Sequence, residues 1–218
     1  MKDKPSEWIA ISDLMAGVMA VVMLLLVFAV LQKSASELRY QEELAKAKAN
    51  KDDPVAKVMR SLGEIFSKRG ATELVVLDPN TNRLTLRDSV FERSSACLTP
   101  EARVDVEAVQ GELASFLIDN PTASILVEGY TDNLPVKHPV TDYQRFCTVY
   151  DDNFTLSAAR AREARRALIG TLKAEITRRI VVAGYGDSRP LHGLAPEDSR
   201  NRRVEVQFLM EHNSSEQR

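Results

Sequence analysis

A chain of 218 residues, 44% hydrophobic and 28% charged, with a formal net charge of −2, has room for one ordinary domain and a further segment. Its charges are mixed in sign and form no long basic run, which excludes the electrostatic footprint of a nucleic-acid-binding protein. His138, His192 and His212 are scattered, no nucleophile–base pair or phosphate loop is legible, and Gly184-Tyr185-Gly186 is too short for a dinucleotide fingerprint, so the sequence points to no enzyme, cofactor or metal site.

Residues 1–7 form a short polar tail, and Trp8 stands where an interfacial aromatic anchor would. Residues 14–31 are apolar and uncharged throughout. A run of roughly 18 such residues meets the length of a membrane span. A buried core helix seldom needs so long an apolar surface on every side. A cleaved signal peptide has an apolar stretch of about 7 to 15 residues ending at small residues, whereas this run ends in Val30-Leu31-Gln32-Lys33. The pattern therefore predicts a transmembrane helix over 8–31. Lys2 and Lys4 before the span nearly balance Lys33 and Arg39 after it, so charge alone leaves the orientation open. A short N-terminus without a folded domain fits a cytoplasmic location.

Asp13 lies about 7.5 Å along the helix axis from Trp8 at 1.5 Å per residue. A carboxylate at the centre of a span costs about 2.5 to 3.5 kcal/mol on insertion scales, so it is a functional candidate by default. The alternative is an acid at the helix start that reaches the interface. Ala16, Gly17 and Ala20 follow it, and small residues at this spacing let another helix approach closely.

Residues 32–50 are rich in Ala, Glu, Lys and Leu with no Gly or Pro, and predict a helical stalk. Asp53 and Pro54 open a new helix that carries Val55, Val58, Met59, Leu62, Ile65 and Phe66 at helical spacing and ends at Gly70. We place the stalk and linker at 32–70 and the folded domain at 71–212, with a disordered tail at 213–218. Strands are predicted over 74–77 and 84–86 around a turn at 78–82. A helix opens at Thr99-Pro100 and carries Val106, Val109, Leu113, Phe116 and Leu117 on one face. A strand at 125–129, a helix at 157–170, a strand at 180–183 and a final strand at 203–209 complete an α/β sandwich.

Cys97 and Cys147 both lie beyond the span. In an exported domain two cysteines suggest a disulfide; in the cytosol they would be two buried thiols. The lack of CxxC spacing argues against a metal site.

Four stretches recur together: Glu128-Gly129-Tyr130-Thr131-Asp132-Asn133; Asn153-Phe154-Thr155-Leu156-Ser157-Ala158-Ala159-Arg160-Ala161; Gly184-Tyr185-Gly186-Asp187-Ser188-Arg189-Pro190; and Asn201-Arg202-Arg203-Val204-Glu205. In order and separation they resemble the OmpA-like peptidoglycan-binding domain, over about residues 74–210. The resemblance implies a pocket for diaminopimelate. Asp132 matches the family's acid after the Gly-aromatic-Thr strand end, and Arg160 its arginine in the helix after Leu-Ser. Asn153 and Leu156 match loop residues, and Arg203 the second arginine of Asn-Arg-Arg. Diaminopimelate in a stem peptide carries a free amino group and a carboxylate, so a site for it needs one anion and one fork-shaped cation. The bland alternative for Asp132 and Arg160 is a structural ion pair. The segment from Asn133 to Asp152, with Pro135, Pro139, Tyr143, Phe146 and Cys147, departs from the family pattern and reshapes or covers the pocket.

Together with the span, this arrangement resembles the MotB family of stator B subunits, in which Asp13 takes the place of the ion-carrying carboxylate. The short tail, compact linker and paired cysteines look more like ZorB, the MotB-like subunit of the Zorya antiphage system. The resemblance implies a single-pass inner-membrane protein with its C-terminal domain in the periplasm, contacting membrane lipid. It implies a proton as the transported ion, and as partners a MotA-like (ZorA-like) multi-span subunit, a second copy of the chain and peptidoglycan. A flagellar stator subunit, a passive wall tether and a wall sensor are the competing readings.

Overall fold

The computed structural model describes residues 53–170 and 172–210, with residues 15, 18, 19, 21–28, 32 and 33 before them. The chain separates into two units, Met1–Lys51 and Asp52–Arg218. In the first, residues 21–28 are helical and their apolar side chains are exposed. Among the described residues no helix is long and apolar enough to cross a membrane. Most of the span expected over 8–31, including Trp8 and Asp13, lies outside the described residues, as do most of the stalk at 32–50 and the tail after 210.

The second unit opens with α1, Pro54–Arg69. The Asp53 carboxylate accepts from the Val55 N–H at 2.9 Å, and Pro54 occupies the first turn where a missing N–H costs nothing. Gly70 ends the helix at φ 72°, and its N–H donates to the Phe66 and Ser67 carbonyls. Val55, Val58, Met59, Leu62 and Phe66 all join the main core. This corrects the boundary expected at 70/71: the folded unit begins at the cap of α1, because that helix buries its apolar face against this domain.

β1, Val75–Asp78, pairs antiparallel with β2, Arg83–Arg87. The Asp78 carboxylate closes the turn by accepting from the Asn80 N–H at 3.0 Å and the Thr81 hydroxyl at 2.7 Å. The single helix expected from Pro100 is two, α2 (Pro100–Glu107) and α3 (Gln110–Asp119). The chain turns between them at Val109, φ −93° and ψ −1°. Val106, Val109, Leu113, Phe116 and Leu117 are nonetheless all buried, because the turn keeps one apolar face.

β3 (Ala123–Tyr130) leads into the segment 133–152, which holds the short α4 (Tyr143–Phe146) and a Val140–Tyr150 bridge. α5 (Asn153–Ile169) starts four residues earlier than expected, capped by Asp152, whose carboxylate accepts from the Thr155 N–H at 2.6 Å. That bond holds the Asp152 carboxyl below the ordinary carboxylate range. α6 (Ala174–Thr177), β4 (Ile180–Gly184) and β5 (Arg203–Met210) follow.

The sheet order is β1-β2-β5-β3-β4, parallel between β3 and β4 and antiparallel elsewhere. α5 makes the crossover and packs on β3 and β4. Phe116 of α3 meets Phe208 of β5 edge-on at 5.4 Å within the core. The disulfide expected between Cys97 and Cys147 is present, spanning 50 residues with the Cα atoms 5.1 Å apart.

Candidate functional site

The site is built where α5 lies across the ends of β3 and β4. Two glycines permit that approach. A Cβ at Gly129 would run into the Ser157 carbonyl, and one at Gly184 would come within 2.6 Å of the Ala158 backbone nitrogen. The Ser157 hydroxyl accepts from the Gly186 N–H at 2.9 Å and fixes the loop after β4 to the same helix. As a result the first two turns of α5 stand beside the loop that leaves β3.

Asn153, Leu156, Arg160 and Asp132 all lie at this junction. The Asn153 side-chain amide donates to the Asp132 carbonyl at 3.1 Å and the Leu134 carbonyl at 3.0 Å, so it shapes the loop. Leu156 is buried beneath. Arg160 is 3% exposed. Its Nε donates to the Ser95 carbonyl at 2.9 Å, one terminal nitrogen donates to Asp88 at 2.9 Å, and the guanidinium lies 5.1 Å from the Phe91 ring centre. Burial pushes the Arg160 guanidinium below its ordinary value, with the Asp88 carboxylate opposing the shift.

Asp132 and Arg160 do not bind each other directly. They are joined through two residues the sequence did not single out. Arg202 donates to Asp132 at 2.6 Å and to Asp88 at 2.9 Å, and Asp88 accepts from Arg160. The order is Arg160–Asp88–Arg202–Asp132, alternating in sign. Burial works against the charge of Arg202, but its bonds to Asp132 and Asp88 outweigh this and raise its pKa. Asp132 also accepts from the Leu134 N–H at 3.3 Å. Beside it, Thr131 Oγ1 is buried without a hydrogen-bond partner, the one such side-chain atom among the described residues.

Arg203, also expected in this site, lines the same cavity as Arg202 and Asp88 but pairs with other groups. It donates to Glu205 at 2.6 Å and to the Asn201 carbonyl at 3.1 Å, and covers the Tyr130 ring at 3.9 Å. Adjacent residues in extended backbone project in different directions, so Arg202 and Arg203 reach different partners. Glu205 faces Glu128 across the strands, and Arg83 bridges both carboxylates. Burial, then the Glu205 and Glu128 charges, push the neighbouring Tyr130 hydroxyl up to about 12.

On the sheet face away from the helices, a cavity of about 740 Å³ is lined by Thr85, Arg87, Asp88, Ser89, Arg200 and Arg202, among others. Asp88 and Arg202 therefore border both the cavity and the buried pair behind them. No group of three or more metal-ligating side chains occurs among the described residues.

The segment 133–152 is tied to this junction through the disulfide. The Ala96 N–H and Ser95 hydroxyl donate to the Phe146 carbonyl at 3.0 and 3.1 Å, the Tyr150 hydroxyl to the Ser94 carbonyl at 2.7 Å, and Arg162 to the Cys147 carbonyl at 2.7 Å. The loop that carries Ser95 to Arg160 is thus clamped by the segment expected to reshape the pocket.

The model of the OmpA family matches residues 90–203, which include Arg160, Asp132 and Arg202. The chain belongs to the OmpA family. Within it, the chain is 31% identical over 129 residues to motility protein B of Bacillus subtilis (strain 168), a match over 58% of this chain and 44% of that protein. The chain thus matches less than half the length of that curated relative. Among solved structures, a MotB-like protein from Desulfovibrio vulgaris superposes with a TM-score of 0.53 at 21% identity, covering 79% of this chain and 99% of that one. It has the same fold. The periplasmic domain of Helicobacter pylori MotB superposes with a TM-score of 0.45 at 20% identity, over 61% of this chain and 76% of that one. The OmpA fold accounts for the mixed sheet and for the convergence of β3 with α5.

Proposed function

We propose that this OmpA-family chain grips peptidoglycan through its C-terminal domain and serves as the wall-anchored B subunit of an ion-driven membrane motor. One observation carries the first half: Asp132 and Arg160, an anion and a fork-shaped cation, are held in one cluster directly behind Asp88 and Arg202, which line an open cavity. That is the donor and acceptor set a diaminopimelate head demands. The similarity to motility protein B supports the second half. The test uses the full-length chain in detergent, mixed with purified sacculi and sedimented. The parent is expected in the pellet, and Asp132→Ala and Arg160→Ala in the supernatant. A folded variant that still sediments like the parent would refute the site.

In this reading the chain sits in the inner membrane with its N-terminus in the cytoplasm and its domain in the periplasm, paired with a second copy and with a MotA-like multi-span subunit. Asp13 takes up and releases the ion, taken as a proton. One elementary charge crossing the membrane potential releases about 2.3 kcal/mol per 100 mV, enough to bias a step between two helix arrangements. The paired cysteines support a ZorB-like place in antiphage defence over a flagellar one. Asp13→Asn cannot change charge. It is expected to leave partner co-purification intact and to abolish protection in a phage challenge. Full protection by Asp13→Asn would leave a passive tether.

A further inference from the structure

The two side chains read as ligand contacts already have partners. The Arg160 side chain is 4% exposed; its Nε donates to the Ser95 carbonyl and one terminal nitrogen donates to Asp88. The Asp132 side chain is 8% exposed and accepts from Arg202. The residues that engage them are different in kind. Asp88 and Arg202 are 34% and 31% exposed, line the cavity, and bind each other at 2.9 Å. A joined carboxylate and guanidinium thus cap a buried cation and a buried anion.

This is the charge pattern of a zwitterion. Arg202 stands where an ammonium would meet Asp132, and Asp88 stands where a carboxylate would meet Arg160. We propose that the Asp88–Arg202 pair is an internal occupant of the binding site, displaced by a ligand that carries an ammonium and a carboxylate on one carbon. The inference rests on the reading of Asp132 and Arg160 as ligand contacts.

The exchange conserves ion pairs. Before it, Arg160 pairs with Asp88 and Asp132 with Arg202. After it, Arg160 pairs with the ligand carboxylate and Asp132 with the ligand ammonium, while Asp88 and Arg202 keep one another in the cavity. At no stage is a buried charge left alone, which would be strongly unfavourable. The cavity of about 740 Å³ that both residues border gives them room to withdraw. Thr131 Oγ1, buried and unpartnered next to Asp132, is a hydrogen-bonding group that this closed arrangement leaves unused. The occupant has two effects. It keeps the empty site neutral and ordered, and it sets a threshold that a lone amine or lone carboxylate cannot pass without stranding one of the four charges.

The test is calorimetric titration of the full-length chain in detergent with meso-diaminopimelate. Asp88→Asn keeps an acceptor oxygen for Arg160 but removes the competing charge; Arg202→Gln likewise removes a charge and keeps an N–H donor for Asp132. Each is expected to bind about fivefold tighter than the parent, what a partly exposed ion pair of about 1 kcal/mol is worth. Arg87→Gln, which removes a charge from the same cavity without touching the pair, is expected to bind as the parent does. 1,5-Diaminopentane, which has no carboxylate to offer Arg160, is expected to gain nothing from Asp88→Asn. If the parent binds and both folded variants bind equally or more weakly, the pair supports the site and does not occupy it, and the proposal is overturned. If neither parent nor variants bind diaminopimelate, and the parent also ignores sacculi, the functional reading fails and the proposal falls with it.

Discussion

Breaking the Cys97–Cys147 bond should show how much of this domain depends on a single covalent link. The bond closes a loop of 50 residues. In the chain-entropy model such a closure removes enough disorder from the unfolded chain to stabilise the fold by about 4 kcal/mol. The folded side loses little on reduction, because Phe146 still accepts from Ala96 and Ser95, and Tyr150 still donates to Ser94. The effect should therefore appear almost wholly as a lower melting temperature. For a domain of this size 1 kcal/mol moves Tm by about 2–4 °C, so reduction should lower it by about 10 °C. Circular dichroism melts of the oxidised protein, the reduced protein and a Cys97→Ser/Cys147→Ser double variant measure this. The last two should coincide. A reduced protein, with both thiols free by mass spectrometry, that melts within about 2 °C of the oxidised form would refute the reasoning.

Gly129→Ala forces a methyl group into the Ser157 carbonyl of a packed helix, and is expected to cost about 1–3 kcal/mol in urea denaturation and to weaken sacculus binding together with stability. Thr99→Ala removes the side-chain cap on the Ala102 N–H, 3.3 Å away, and should cost about 1 kcal/mol in the same assay. Tyr130 has a folded pKa raised to about 12 from its ordinary 10, so the stability linked to it is intact below pH 10 and is lost as pH rises towards 12. Absorbance titration of phenolate should show a late-ionising component near pH 12 that Tyr130→Phe removes; an unchanged titration would count against the burial of the Tyr130 hydroxyl beside Glu205 and Glu128.

Local patterns in the sequence were enough for the β1–β2 hairpin, because Asp78-Pro79-Asn80 marks the turn between an apolar run at 74–77 and the alternating Leu84-Thr85-Leu86. The helix of α1 was equally legible, but not its destination: an amphipathic face does not say which core will receive it, and here Leu62 and Phe66 enter the domain's own. The break at Val109 was hidden because apolar spacing runs through it from Val106 to Leu113. Segment 133–152 has no periodicity to read, and its shape depends on contacts with residues 94–97 far away in the chain. In the site, Asp132 and Arg160 were legible through family resemblance, whereas their meeting depends on Gly129 and Gly184. Asp88 and Arg202 were not, since a short-range pattern cannot show that residues 114 positions apart share a hydrogen bond. Of the paired arginines 202 and 203, the sequence favoured the one that turns to Glu205.

The place of β5 in the sheet has a consequence for how the chain is made. Its residues pair with β2 on one side and β3 on the other, yet among the described strands it is the last to be synthesised. Until Met210 has emerged, the hairpin and the β3–β4 pair have no shared neighbour, and the core residues Val204, Val206 and Phe208 are missing. A nascent chain of this topology can form its hairpin and its parallel pair separately, but the two halves of the sheet join only when β5 is added between them.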